Sequence, residues 1–181
     1  IMWFGCDAAA TSYLTPIYAN IQEVPECVKV GNGDMLTYSP TSQFWLCNRV
    51  ANACYKMYNQ MAPYVRERAD AFENEQMFTK VPQIDAQAAA AVKAGKVKEA
   101  KKILTKYSVE TAQKQFSDWK TLEETLLVKY MDGNVKAQNE DGSFVHSVYN
   151  AGTPDGMEQP GYTEKWKEAV ARDHGSIIEV K

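Results

Sequence analysis

From Phe44 to Met61 the apolar residues Phe44, Cys47, Val50, Ala51, Cys54, Tyr58 and Met61 return at steps of three and four. This is the period of an amphipathic helix with one face in a core. The helix is expected to start at Pro40, which suits the first helical position because it needs no amide donor there. Ser39 is expected to cap the orphan amides, after a loop loosened by Gly31 and Gly33. Pro63 should kink or end it, with helix resuming from Tyr64 to Phe78. Gln83 to Ala94 is alanine-rich and closes on Gly95. Val97 to Tyr107 then places Val97, Ala100, Leu104 and Tyr107 on one face. Ser108 reads as the cap of a further helix carrying Ala112, Phe116, Trp119, Leu122, Leu126 and Tyr130, which Gly133 ends. That helix is expected to pack on the one beginning at Pro40.

At the front of the chain the pattern changes. Ile1 to Cys6 and Ser12 to Ala19 are short, rich in aromatic and branched residues, and separated by the turn-like Asp7-Ala8-Ala9-Ala10, which predicts two adjacent strands. Two strands seldom make a stable sheet, so the sheet is expected to be completed by residues outside this sequence or by another molecule. After Asn134 the periodicity lapses into a polar, glycine-containing stretch up to Gly161, read as an extended loop with a hairpin near Gly142. Thr163 to Asp173 reads as a short helix, with Gly175 after it and Ile177, Ile178 and Val180 as a terminal strand. The class is therefore α+β and mainly helical. Strands and loops occupy 1–38, helices 39–132, and an extended loop with a short terminal helix 133–181.

Composition adds exclusions. With 181 residues, 45% hydrophobic content and a formal net charge of −3, the chain has material for one core and no electrostatic footprint for nucleic acid or anionic lipid. No apolar run approaches the roughly 20 residues of a membrane-spanning helix. Lys93, Lys96, Lys98, Lys101, Lys102 and Lys106 form a basic run. Val97, Ala100, Ile103 and Leu104 interleave with it, so the lysines read as the wet side of a helix. The first residue is Ile1 and a strand-like run begins at once, which reads as a start inside a longer polypeptide. Compartment and homo-oligomeric assembly stay open.

Of the four cysteines, Cys47 and Cys54 are seven positions apart on one predicted helix. That is a rise of roughly 10 Å against the ~7 Å limit for bridging alpha carbons, so they cannot pair with each other. Cys6 and Cys27 lie in different segments and are free to meet, yet four irregularly spaced cysteines in a chain of this size read as buried thiols. A buried thiol without a neighbouring cation has its ionisation suppressed, which argues against Cys47 or Cys54 as a nucleophile. His146 and His174 have no ligand-like spacing to any cysteine, and no metal site is expected.

Trp3-Phe4-Gly5, the run Thr11 to Tyr18, the run Gly31 to Asn52, Leu126 to Asn134, and Gln159-Pro160-Gly161-Tyr162 together resemble the C-terminal part of the dipeptidase A-like cysteine dipeptidases, which are N-terminal-nucleophile hydrolases. The resemblance implies a place within an αββα sandwich, a dipeptide substrate and no cofactor. It also implies a terminal cysteine whose thiol attacks while its own free amine accepts the proton. Ile1 offers no such atom, and Cys6 has an amide nitrogen. No catalytic residue is therefore expected in this segment, and the nucleophile is expected in the upstream part of the same polypeptide. The Ser-Arg-Phe setting of related acylases is Ser42-Gln43-Phe44 here, so the role of that arginine does not transfer. Asn48 and Arg49 are the candidate substrate-binding residues, as polar groups near the start of the helix within the segment of likeness. Their bland alternative is a loop-tying asparagine and a surface or ion-paired arginine. Two further readings stand beside the dipeptidase: a non-enzymatic helical module that docks a partner, and an acylase of the same chemistry acting on non-peptide amides.

Overall fold

The computed structural model describes residues 1–174; the terminal strand expected at Ile177, Ile178 and Val180 lies outside the described residues. The architecture is mixed and mostly helical, with one small sheet among the described residues. Strand β1 (Met2–Phe4) pairs antiparallel with β2 (Thr15–Ile17), so that Met2 faces Ile17, Trp3 faces Pro16 and Phe4 faces Thr15. Both strands fall where the aromatic and branched runs place them, though shorter. Just past β1 a Cβ on Gly5 would lie 2.8 Å from the terminal Cδ2 of Leu14 and 3.3 Å from the Tyr13 carbonyl, so a larger residue there would displace the Leu14 side chain.

The linker between the strands turns through Asp7, at φ 64, and a 3₁₀ turn at Ala9–Thr11. It is fastened from the side by Arg66. One Nη donates to the carbonyls of Ala9 (3.0 Å) and Ser12 (3.1 Å), while Nε and the other Nη donate to Asp70 (2.8 Å) and Glu73 (2.7 Å). Glu73 in turn accepts the Leu14 N–H at 3.0 Å. This collar delivers Tyr13 into the core, where its ring meets Trp119 (centroids 4.8 Å apart) and the edge of Phe72 (6.1 Å).

Helix α1 spans Gln43–Cys54 and α2 spans Tyr58–Glu75. The start at Pro40 is corrected to Gln43. The Ser39 hydroxyl donates to Asn32 Oδ1 (2.6 Å) and accepts the Thr41 N–H (3.3 Å), and the Ser42 N–H bonds the Ser39 carbonyl (3.3 Å). Pro40 is thus the second residue of a turn, a position its fixed φ also suits. Ahead of it, Asn32 uses its whole carboxamide. Nδ2 donates to the carbonyls of Glu26 (2.7 Å) and Thr41 (3.2 Å), and Oδ1 accepts from Ser39 and Thr41. The buried stripe of α1 is Gln43, Leu46, Cys47, Val50, Ala51 and Cys54, with Phe44 half-exposed. Tyr58 leaves the expected stripe because the helix breaks at Met57 (φ −145), well before Pro63. Pro63 lies inside α2 without ending it, four residues after the exposed Asn59, the carbonyl its missing N–H would have served.

Beyond α2 a π turn, Gln76–Lys80, leads into α3 (Val81–Lys93), with the Val81 N–H reaching back to the Gln76 carbonyl. The wider turn comes immediately before Pro82, where an ordinary helical bond to the Phe78 carbonyl has no donor. Gly95, at φ +73, closes α3 as its sequence indicates. Helix α4 then runs unbroken over Val97–Lys129, correcting the expected division at Ser108. Ser108 is buried, and its hydroxyl accepts the Tyr18 N–H at 3.2 Å, so it ties the strand exit to the helix instead of starting one. The anticipated stripe of α4, from Ala112 through Phe116, Trp119, Leu122 and Leu126 to Tyr130, is buried throughout.

The described residues divide into two compact units, the first Ile1–Leu127. The second begins at Val128 and holds an irregular ribbon with isolated bridges Val135–Glu158, Gln138–Phe144 and His146–Pro154. It turns at Gly142 (φ +85), as the sequence suggests, and carries helix α5 at Glu164–His174.

Two stability changes follow from the collar and from the buried polar atoms. Arg66→Ala is expected to lower unfolding stability by about 2 kcal/mol, discounted for partial exposure, with a matching fall in the urea midpoint. Gln43 is fully buried with both amide atoms unpartnered. Gln43→Met is therefore expected to leave the urea midpoint unchanged or raise it, since an unsatisfied buried amide costs about 1–3 kcal/mol.

Candidate functional site

The two residues singled out on α1 occupy neighbouring but different environments. Arg49 forms a two-pronged ion pair with Glu123 of α4, its Nη2 2.8 Å from Oε2 and its Nε on Oε1, and its other Nη donates to the Tyr38 hydroxyl at 3.2 Å. The Tyr38 ring lies 5.8 Å from the guanidinium carbon. Hydrogen bonding to Glu123 holds the Arg49 guanidinium above its ordinary range. Its donor fork is engaged by the protein, and it staples α1 to α4.

Asn48, one residue earlier, points elsewhere. Its Nδ2 donates to Asp7 Oδ1 at 3.3 Å, and its own carbonyl and Oδ1 accept from Asn52 Nδ2 at 2.8 and 3.2 Å. The result is a short polar ladder, Asp7–Asn48–Asn52, running along a half-exposed side of α1 above Phe44, which precedes Asn48 by one helical turn.

The thiols share a different condition. All four cysteines are free, and Cys27, Cys47 and Cys54 are buried. Burial is the leading cause that pushes Cys6, Cys27 and Cys54 up to about 11 and Cys47 well above its ordinary value, with Asp7 adding to the effect at Cys6 and Cys47. The Cys27 thiol donates to the Ala112 carbonyl at 3.9 Å. Desolvation likewise raises the Tyr13 phenol. Cys47 and Cys54 are buried on the α1 stripe, the packing position their spacing indicates, and burial suppresses the ionisation of the thiols.

His146 lies in the second unit with Nδ1 on the Ala151 carbonyl. Among the described residues no group of three His, Cys, Asp or Glu side chains is arranged to hold a metal ion, and no helix is long and apolar enough to cross a membrane. The lysines from Lys93 to Lys106 are all exposed, as the wet face of α3 and α4.

Sequence reading brought out Asn48 and Arg49 and missed their partners. Glu123 stands one turn beyond Trp119 on the α4 stripe, a spacing that flags it as the acidic neighbour of a core face. Asp7 was hidden in an alanine-rich turn, and nothing in its local pattern announces a contact 41 residues away.

The raised thiols make a checkable pH signature. In the folded chain Cys6, Cys27 and Cys54 stay protonated to about 11, while an unfolded thiol ionises near its ordinary value of 9. Their contribution to stability is therefore fully present below pH 9 and is lost as the pH rises towards 11, so the urea midpoint should fall across that window. Alkylation by iodoacetamide at pH 7 should run about 100-fold slower than for an unhindered thiol and rise tenfold per pH unit. A plateau near neutral pH would show an activated thiolate.

The span from β1 through α1 into α2 holds Asp7, Asn48, Arg49 and all four cysteines beside the buried Tyr13. No curated protein and no solved structure matches the chain. Residues 1–71, which are that span, match the family model of peptidase family C69.

Proposed function

We propose that this chain is the C-terminal part of a cysteine dipeptidase whose nucleophile is an N-terminal cysteine in the upstream portion of the same polypeptide. The observation that carries the reading is the match of residues 1–71 to peptidase family C69, a family of cysteine peptidases. The state of the thiols supports the division of labour. An attacking sulfur must ionise near neutral pH or have a base beside it, whereas the cysteines here are raised by burial and carry no activating cation. On this reading the segment supplies strands, outer helices and one wall of the substrate cleft. Asn48 borders that cleft, and Arg49 holds the wall in place through Glu123.

The chemistry then divides as follows. The upstream terminal cysteine attacks the dipeptide carbonyl carbon, its free amine takes the thiol proton and passes it to the departing amine, and a thioester forms. Water hydrolyses the thioester and returns the thiol. The residues of this chain orient the substrate and exclude competing water, which affects KM and the fraction of productive encounters.

The purified chain is expected to hydrolyse no dipeptide, and the intact parent polypeptide to hydrolyse them. In the parent, Asn48→Ala should lower kcat/KM by about tenfold, and Cys54→Ala should leave it within about twofold. Release of free amino acids from dipeptides, followed by ninhydrin or by coupled oxidation, reads both. Hydrolysis by the chain alone, abolished by Cys47→Ala or Cys54→Ala, would overturn the reading.

A further inference from the structure

The lysines at the corner between α3 and α4 run against the electrostatics of the helix that carries them. Six lysines and one glutamate lie from Lys93 to Lys106, all of them exposed. Lys98, Lys101 and Lys102 stand in the first two turns of α4, where the helix dipole already presents its positive end, and Glu99 is the acidic residue of the first turn. Glu99 is taken by Lys96 at 3.7 Å, and Lys106 meets Glu110 at 3.9 Å. Lys93, Lys98, Lys101 and Lys102 enter no ion pair among the described residues. Cations crowded at this end of a helix are repelled by the dipole and by one another, and an anionic partner relieves both. The corner also holds an open recess of about 710 Å³, lined by Val97 and by Lys96, Lys98 and Lys102. Val97 is half exposed there, and the lysine stems add apolar wall beneath their charged ends.

The same chain carries the complement. From Ala137 to Pro160 the ribbon holds Glu140, Asp141, Asp155 and Glu158 and no lysine or arginine. All four carboxylates are exposed, and none enters an ion pair among the described residues. Between the two acidic pairs Val148 and Tyr149 are 88% and 96% exposed, on a turn closed by the Ser147 N–H on the Thr153 carbonyl at 2.9 Å. A tyrosine flanked by carboxylates fits an apolar recess rimmed by lysines, because the ring is buried at the centre while the charges meet at the wet edge. The lysines lie at the start of α4 and the ribbon follows its end; roughly 35 Å of unbroken helix separates Lys106 from Lys129. Two copies related by a two-fold axis bring each basic corner to the other's ribbon, so that one contact is made twice and the assembly closes at two.

We propose that this chain self-associates as a two-fold dimer in which Tyr149 and the flanking carboxylates of one copy dock on the lysine-rimmed recess at the α3–α4 corner of the other. The contact goes beyond the peptidase reading and does not depend on it, since both surfaces lie outside residues 1–71.

Sedimentation velocity of the purified chain provides the test. At about 50 mM salt and about 100 μM protein the chain should sediment as a dimer that dissociates on dilution, and at about 500 mM salt, where screening is short-ranged, as a monomer. Lys98→Glu combined with Lys101→Glu and Lys102→Glu should raise the dimer dissociation constant at least about 30-fold, as should Glu140→Lys combined with Glu158→Lys. Tyr149→Ala should raise it about tenfold. These side chains are exposed, and circular dichroism checks that each variant stays folded. An equal mixture of the lysine-reversed and glutamate-reversed chains should dimerise again, because each offers the charges the other lacks, and so should a chain with both sets reversed. A monomer at every salt concentration overturns the proposal. A dimer indifferent to salt or to the reversals, or a mixture that stays monomeric, overturns it equally.

Discussion

Burial of the Tyr13 ring is the constraint on which the first unit depends. The ring meets Trp119 of α4 and Phe72 of α2 at once, so the hairpin, the second helix and the fourth share one contact. Aromatic pairs of this kind contribute about 0.5–1.5 kcal/mol beyond the area they bury. That gain has to offset a phenol hydroxyl and an indole N–H that are both buried without protein partners. The Arg66 collar makes the arrangement stable from outside, since it satisfies the carbonyls of Ala9 and Ser12 and fixes the chain on the near side of Tyr13. The core contact and the collar act on the same short linker, which is why a segment with little regular structure is held in one conformation.

The same placement separates charges that are used by the fold from one that is not. Arg49 and Glu123 neutralise each other across α1 and α4, and the thiols are kept protonated by the interior that surrounds them. These groups belong to packing. Asp7 is different: it is exposed, and its carboxylate accepts from the neutral Asn48 amide. In the region that matches peptidase family C69, fold-holding polarity and accessible polarity thus sit one residue apart on α1, at Arg49 and Asn48.

Helical periodicity was most legible where a long helix lies on a continuous core. The α4 stripe could be read from Ala112 to Tyr130 because every contact it makes repeats at the same interval. The boundaries were less legible because they depend on distant partners. Ser39 looked like a cap until Asn32 claimed its hydroxyl, and Ser108 looked like one because its bond to Tyr18 crosses 90 positions. Pro63 suggested a break that occurs instead at Met57, where no residue type announces it. For the site, the sequence identified Asn48 and Arg49 by their place on the helix but carried no sign of which was engaged. That distinction is made by Glu123 and Asp7, both far along the chain.

Asn32 shows how much of the approach to α1 rests on a single carboxamide. It gives two donors to the carbonyls of Glu26 and Thr41 and takes two hydroxyls in return, and it is followed by Gly33, the neighbour that least obstructs cyclisation of an asparagine onto the next backbone nitrogen. Loss of ammonia by that route would turn the amide into an acid and set oxygen against oxygen at Glu26 and Thr41. The loop therefore carries its own chemical lifetime, and the four bonds that shape it also restrain the carboxamide from the rotation that would begin its decay.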